Sequence, residues 1–521
     1  MDALVLLIPF LPLCAALIIG VAASSGLLDE KASAHLNADI AIGATGLSCL
    51  MALALSVGDW LGKTSGYFSV GQWLGSDTLD IRINFISSGF PVWLAAVFAL
   101  LLWLVGWQAS HDPQRGAGGQ RFFFILCLFA AAIQTLVLSA NMIGTLAGWQ
   151  ISGWCAYLLV GYAYGTPAAT GNACRVFIAQ QIGTIGLLIG ISLCYIWLDN
   201  VNWARLALAT EDLGIGQATG VSLCFTWAAF ALSAQLPFTP WLARAMPTAM
   251  PASPVIMSHA GIYLLWQLHP VFEQSPFARA VLGIVGVLTA LYCSIIGLTQ
   301  TDYKNGLAYA TAGQLGLMFL EAALGWWQIM AGHCCLHVLL RCLQCLRADD
   351  KAQRTAAPQI PALPIPSVIA GIGNKSWAFT SSLQGFWLEP IIDWALVNPV
   401  RKMAQDLCYF DSQIIDRLMG SPEPAIRTLA TFAQHDETFS ETSYSGIPNG
   451  FALGNGLAGK LAQWAATLMH GFEDRFVTRG LGSGSIHWLR KMGYAANRFE
   501  LVIIRPRYLV LFVGITFLVA F

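Results

Sequence analysis

Apolar runs of roughly 17 to 25 residues, the length a helix needs to cross the hydrocarbon core of a bilayer, recur from the N-terminus to about residue 347. About eleven are countable, over 3–23, 39–57, 87–108, 122–141, 143–164, 174–198, 217–236, 252–270, 278–299, 306–324 and 325–347. No water is available there to satisfy backbone N–H and C=O groups, so each run must close its own hydrogen bonds as a helix. The fold class that follows is an all-α polytopic membrane protein, with short connections making successive helices antiparallel neighbours. The composition agrees: 56% of the 521 residues are hydrophobic and 11% charged, with a net charge of −1. That balance, with no basic stripe, excludes nucleic acid as a main partner. The first run lacks a basic leader and reads as a retained helix, not a cleaved signal.

Two connections are longer. Residues 58–86 carry Trp60, Tyr67, Phe68 and Trp73 among glycines and predict a small structured loop at the interface; 199–216 is weakly amphipathic. After Leu346 the character changes. Charged residues lead into a Pro-rich stretch from Pro358 to Pro366, which predicts a linker over 348–385. From 386 to 505 the pattern is amphipathic and moderately charged, as in helices lying along a surface, and 506–521 reads as a terminal membrane helix. Sixteen of the 27 Lys and Arg residues follow position 345, which places this arm on the cytoplasmic side.

A titratable side chain in a spanning helix costs about 3 kcal/mol or more, so each one raises a functional question. His333, His337 and Arg341 recur at intervals of four and share one face of the last span. A proton relay and a set of interhelical hydrogen bonds are the two readings of that face. His259 follows the proline-broken stretch Pro247 to Pro254, the kind of interruption around which ion sites are built. Glu321 is either an intramembrane or an interfacial carboxylate. Asp302 and Lys304 fall between helices, where pairing with each other or a neighbour is expected, and Arg175 and His269 lie near helix ends, where snorkelling or an interfacial hydrogen bond is the default. The thirteen cysteines, including the Cys334, Cys335, Cys342 and Cys345 cluster, lack paired CxxC spacing and read as small apolar filler. No P-loop, zinc spacing or nucleophile elbow is present, so the chain is expected to transport or couple and not to catalyse.

Five segments resemble the antiporter-like, proton-conducting membrane subunits that include the NuoL type of respiratory complex I, Mrp antiporter subunits and DabB of an inorganic-carbon pump. They are Gly148 to Gly161, Ser233-Ala234-Gln235-Leu236-Pro237-Phe238 to Leu242, Ser258-His259-Ala260-Gly261-Ile262, Thr299 to Gly316, and the His333/His337/Arg341 face. The order and spacing agree over roughly 120 to 347. The resemblance implies an antiporter-like bundle with broken helices, and it brings His259, His333, His337, Arg341 and Glu321 forward as an ion path, with Lys304, Asp302 and Gln150 in structural or coupling roles. This sequence departs from the family where an intramembrane glutamate becomes Gln150, a lysine becomes Leu232 and a later lysine becomes Arg341, whose guanidinium keeps its proton and so prevents lysine-like proton release.

Within the family, Leu268-His269-Pro270-Val271-Phe272 and Leu317 to Gly325 look more like DabB, and Cys155 to Gly161 more like NuoL. The first expectation is therefore a subunit of an inorganic-carbon uptake complex in a bacterial inner membrane, coupling cation flow to a DabA-like, carbonic-anhydrase-related partner that would hold the zinc. No cofactor is expected in this chain itself. Its rivals are a NuoL-type proton-translocating subunit of complex I or a membrane hydrogenase, and a non-conducting scaffold. A second antiporter-like subunit would supply the missing charges.

Overall fold

The computed structural model describes residues 1–25, 30–75, 80–111, 119–199, 201–246, 250, 252–300, 302–354 and 381–410. Most of the expected linker, the arm beyond 410, the terminal helix and residues 247–249 and 251 of the proline-broken stretch lie outside them. Residues up to Trp394 belong to one compact unit.

Its long helices are α1 (Leu4–Ser25), α2 (Glu30–Trp60), α3 (Phe90–Ser110), α4 (Gly119–Leu138), α5 (Met142–Val160) and α6 (Pro167–Leu198). After the short α7 (Trp203–Leu208) come α8 (Ile215–Leu232), the short α9 (Pro240–Ala245), α10 (Ala252–Gln267) and the short α11 (His269–Glu273). Then α12 (Pro276–Gly297), α13 (Tyr303–Ala323) and α14 (Trp327–Arg354) complete the bundle. Eight of these helices, among the described residues, are long and apolar enough to span a bilayer. The chain is a multi-pass membrane protein.

Helices α5, α10 and α13 fall outside that set. For α10 the reason is placement: every residue from Ala252 to Leu265 is buried, so neighbouring helices shield it from lipid and 16 residues with several polar side chains suffice. The same shielding lets α10 carry a histidine.

The structured loop expected in 58–86 contains an antiparallel hairpin, β1 (Tyr67–Gly75) with β2 (Asp80–Ile86). It is tied down at the start of the chain: the Ser87 hydroxyl and Ser65 N–H donate to Asp2, which holds that carboxyl below the usual carboxylate range. Asn141 donates to the Arg82 carbonyl, and Ala140 N–H to Asn84, so the hairpin and the α4–α5 turn lie at one end of the bundle. At the other end, Ser381–Trp394 pack on the bundle, with Tyr292 donating to the Gly385 carbonyl and Thr299 bonded to Ser382. Here α15 (Leu388–Ile392) forms. Residues from Ala395 belong to a second unit, whose described part is mainly the amphipathic α16 (Asn398–Phe410); Met403 and Leu407 are exposed along it.

The chain breaks between α8 and α9. Ser233 to Thr239 run without helix, through a cis bond at Leu236–Pro237, and the break is buried. Two of its polar groups are met from neighbouring helices, Ser233 donating to the Ser258 carbonyl of α10 and Leu236 N–H to Thr289 of α12, while Trp241 of α9 donates across it to the Ala231 carbonyl of α8. This interruption precedes the proline-broken stretch Pro247 to Pro254, which falls between the end of α9 at Ala245 and the start of α10 at Ala252, with residues 247–249 and 251 outside the described residues.

Helices α12 and α13 meet backbone to backbone. A methyl at Gly316 would lie 2.6 Å from the Gly286 carbonyl oxygen, and one at Gly286 would lie 2.5 Å from that of Gly316. Gly316→Ala is expected to force the two helices apart and lower stability by about 1–3 kcal/mol, read as a reduced unfolding midpoint in detergent, whereas Gly332→Ala, with open space around it, should be neutral.

Candidate ion path and its anchoring ion pairs

Four-residue spacing on α14 places His333, His337 and Arg341 along one face, rising about 12 Å from the first to the last at 1.5 Å per residue. Near the hairpin end, His333 Nδ1 lies 2.9 Å from Glu321 Oε1 of α13, and both side chains are half-buried. The rings of His333 and His337 meet edge to face at 5.9 Å. His337 Nδ1 is 2.9 Å from His259 Nε2 on α10, and His259 Nδ1 is 2.7 Å from the Val255 carbonyl oxygen. Arg341 Nε donates to His337 Nε2 at 3.0 Å, and its Nη1 donates to Gln344.

The two ends of this chain fix every proton within it. A carbonyl can only accept and a guanidinium N–H can only donate. Arg341 occupies Nε2 of His337, so that ring carries its proton on Nδ1 and gives it to His259 Nε2. His259 in turn carries its proton on Nδ1, facing Val255. Both imidazoles are neutral, both are Nδ1–H tautomers, and all four ring nitrogens are satisfied.

Arg341 and Gln344 also line a cavity of about 710 Å³ between α12, α13 and α14, whose wall includes Gln300, Asp302, Tyr309 and Gln314. Asp302 and Gln300 stand at the start of α13, so this cavity reaches toward the end of the bundle opposite the hairpin. Asp302 is the N-cap of α13, accepting from Asn305 N–H at 3.0 Å, and Lys304 lies within the first turn of that helix. Asp302 thus lies between the helices as expected, whereas Lys304 does not: it falls inside α13, because an aspartate ahead of a helical stretch is an N-terminal signal.

On the other side of α10 the polar groups cease to titrate. Gln150 accepts from Thr184, which also accepts from the Trp149 indole, while Gln180 donates to the Trp149 carbonyl across the bare Gly153. Leu232 is buried. Among the described residues, the Gln180 and Gln235 Oε1 atoms and the Ser222 and Thr226 hydroxyls are buried without a protein partner. Such groups are the ones that ordered water satisfies.

Sequence reasoning missed the ion pairs at the arm end. Of the two alternatives for Arg175 the hydrogen bond is the one observed, with its Nε and Nη2 donating to Asp393 at 3.0 and 2.7 Å. Arg244 grips Glu389 in the same fork, both bonds at 2.7 Å, which raises its pKa above the ordinary guanidinium value. Glu389 also lies 3.9 Å from Arg175. The available signal was the four-residue spacing of Glu389 and Asp393, which puts both carboxylates on one helical face. Their arginine partners, some 145 and 218 positions away, carry no local sign.

Comparison with known proteins locates this bundle. Residues 139–353 match the family described as NADH:quinone oxidoreductase/Mrp antiporter, transmembrane. NADH-quinone oxidoreductase subunit L of Escherichia coli is 30% identical over 319 residues, covering 60% of this chain and 52% of that protein. NAD(P)H-quinone oxidoreductase chain 5 of Synechocystis is 29% identical over 351 residues, covering 65% and 51%. The chain thus spans about half the length of the curated relatives it matches. Among solved structures, a chain of the Mrp complex from Dietzia has a TM-score of 0.59 at 19% identity, covering 95% of this chain and 60% of its own. A chain of an archaeal membrane-bound sulfane sulfur reductase gives 0.54 at 20% identity, covering 66% and 70%. Both show the antiporter-like fold.

Half-exposed pairs such as Arg244–Glu389 are worth about 0.5–1 kcal/mol each. The double change Glu389→Gln with Asp393→Asn is expected to speed amide exchange across 385–394 several-fold and to leave α10 unchanged; equal protection in both proteins would show that the ion pairs do not hold this segment.

Proposed function

We propose that this chain is a proton-translocating membrane subunit of a larger energy-transducing complex, in the manner of the L-type subunits. The observation that carries the reading is the order of groups along α14. Glu321 and His333 stand toward the hairpin end, the hydrogen-bonded His337–His259 pair lies at mid-depth, and Arg341 borders a cavity toward the arm end. Imidazoles titrate near neutrality and pass protons between their two nitrogens. Their alignment therefore suits a route across the bilayer, with water on the 710 Å³ side and the Glu321–His333 pair on the other.

The match to the quinone oxidoreductase and Mrp family supports this reading over inorganic-carbon uptake, since the relatives named above are subunits of quinone oxidoreductases. Redox chemistry and any zinc would then reside in partner subunits, and this chain would need no cofactor. Gln150 and Leu232 supply no titrating group on the α5–α8 side, so a neighbouring antiporter-like subunit is the natural continuation of the path. The excess of Lys and Arg after residue 345 supports a cytoplasmic arm end, in a setting such as the bacterial inner membrane.

His337→Gln, in the assembled complex reconstituted into vesicles, is expected to cut coupled proton movement by about 10²-fold, the scale of losing one positioned proton carrier, with the subunits still co-purifying. Undiminished proton movement with that variant would leave the non-conducting scaffold as the better reading.

A further inference from the structure

From the hydrogen-bond directions in the buried cluster we infer that Arg341 is a lock on the protonation of the His337–His259 pair, opened by swinging its guanidinium into the neighbouring cavity. This inference rests on the proton-path reading for its physiological role and on the structure alone for its chemistry. In the observed arrangement neither imidazole has a lone pair to spare: His337 Nε2 accepts from Arg341 and His259 Nε2 accepts from His337. A further proton on His337 would set an N–H against the Arg341 N–H. A further proton on His259 would oblige His337 to move its own proton to Nε2, producing the same collision. Both routes to a charged pair therefore pass through displacement of one side chain.

The displaced guanidinium has a place to go. Arg341 is half-buried and forms part of the wall of the 710 Å³ cavity, on which Asp302 is the one carboxylate and Gln314 and Gln344 offer amide oxygens. With Arg341 turned outward toward Asp302, a hydrated proton from the cavity can bind His337 Nε2: one N–H bond forms, water is released, and the pair becomes a monocation as the fixed cation leaves. Return of Arg341 requires that proton to depart first. The cluster thus carries either the guanidinium or the extra proton at His337 Nε2, never both.

The titratable groups facing the pair are few. On α14 they are His333, Arg341, Cys334 and Cys342; from α13 Glu321 acts through its bond to His333. Helices α3, α5 and α8, which also pack around α10 and α14, carry no carboxylate, amine, guanidinium or imidazole, and the charged or titratable groups of the other helices packed on α10 stand toward their ends: Arg121 on α4, Arg244 on α9, His269 and Glu273 on α11. The family's lysine at this position would offer a flexible ammonium that can lose its proton; an arginine cannot, which makes displacement the available response.

The test is nitrogen-15 magnetic resonance of the full chain, labelled at histidine, in phosphatidylethanolamine/phosphatidylglycerol vesicles, with His259 and His337 assigned by loss of signal in their glutamine variants. The wild-type protein is expected to show both rings neutral with the proton on Nδ1. Arg341→Leu should abolish that uniformity, giving mixed tautomers and an imidazolium fraction at the same pH, while Arg341→Lys, which keeps a cationic N–H donor, should restore the Nδ1–H form. A wild-type His337 protonated at Nε2, or an Arg341→Leu spectrum identical to wild type, would overturn the lock. Proton permeability of the same vesicles separates the two ideas: altered tautomers with unaltered permeability in Arg341→Leu support the lock and sink the path.

Discussion

A buried imidazole in a membrane must find a partner for each ring nitrogen, because hydrocarbon offers none. In this bundle one hydrogen-bonded series meets that demand, running from Arg341 through His337 and His259 to the Val255 carbonyl. Much of the surrounding architecture follows from it. Helix α10 has to be enclosed on all sides to carry His259, the α8–α9 break sits against α10 through Ser233 and Ser258, and α14 presents the polar face that was legible as a four-residue repeat. Removing one member would strand another, which is why the cluster acts as a unit.

The arm end is held by different physics. There the charges are half-exposed, and what fixes 385–394 on the bundle is the fork geometry of two arginines against two carboxylates spaced one helical turn apart. Arg175 belongs to α6 and Arg244 to α9, so the short α15 joins the element that follows the chain break to one that precedes it. A change in the position of the break would be felt along this segment.

Hydropathy made the long helices legible, and the polar face of α14 singled out its three members. The sequence could not show that Glu321 and His333 pair while His337 turns instead to His259, because the choice depends on how α10, α13 and α14 cross. The hairpin was hidden for a related reason. Its strands are held by contacts to Asp2 and Asn141, far away in the chain, and its glycines and aromatics resemble those of any interfacial loop. The break at Ser233–Thr239 was not legible, because its apolar residues continue the hydropathy of the span read over 217–236, whereas the prolines do mark the stretch between α9 and α10.

The close approach of Gly286 and Gly316 bears on more than packing. Ala290 and Gly313, which line the cavity beside Arg341, are neighbours of the point where the α12 and α13 backbones touch. A change that parts the two helices there would therefore reshape the wall beside Arg341 as well as loosen the bundle.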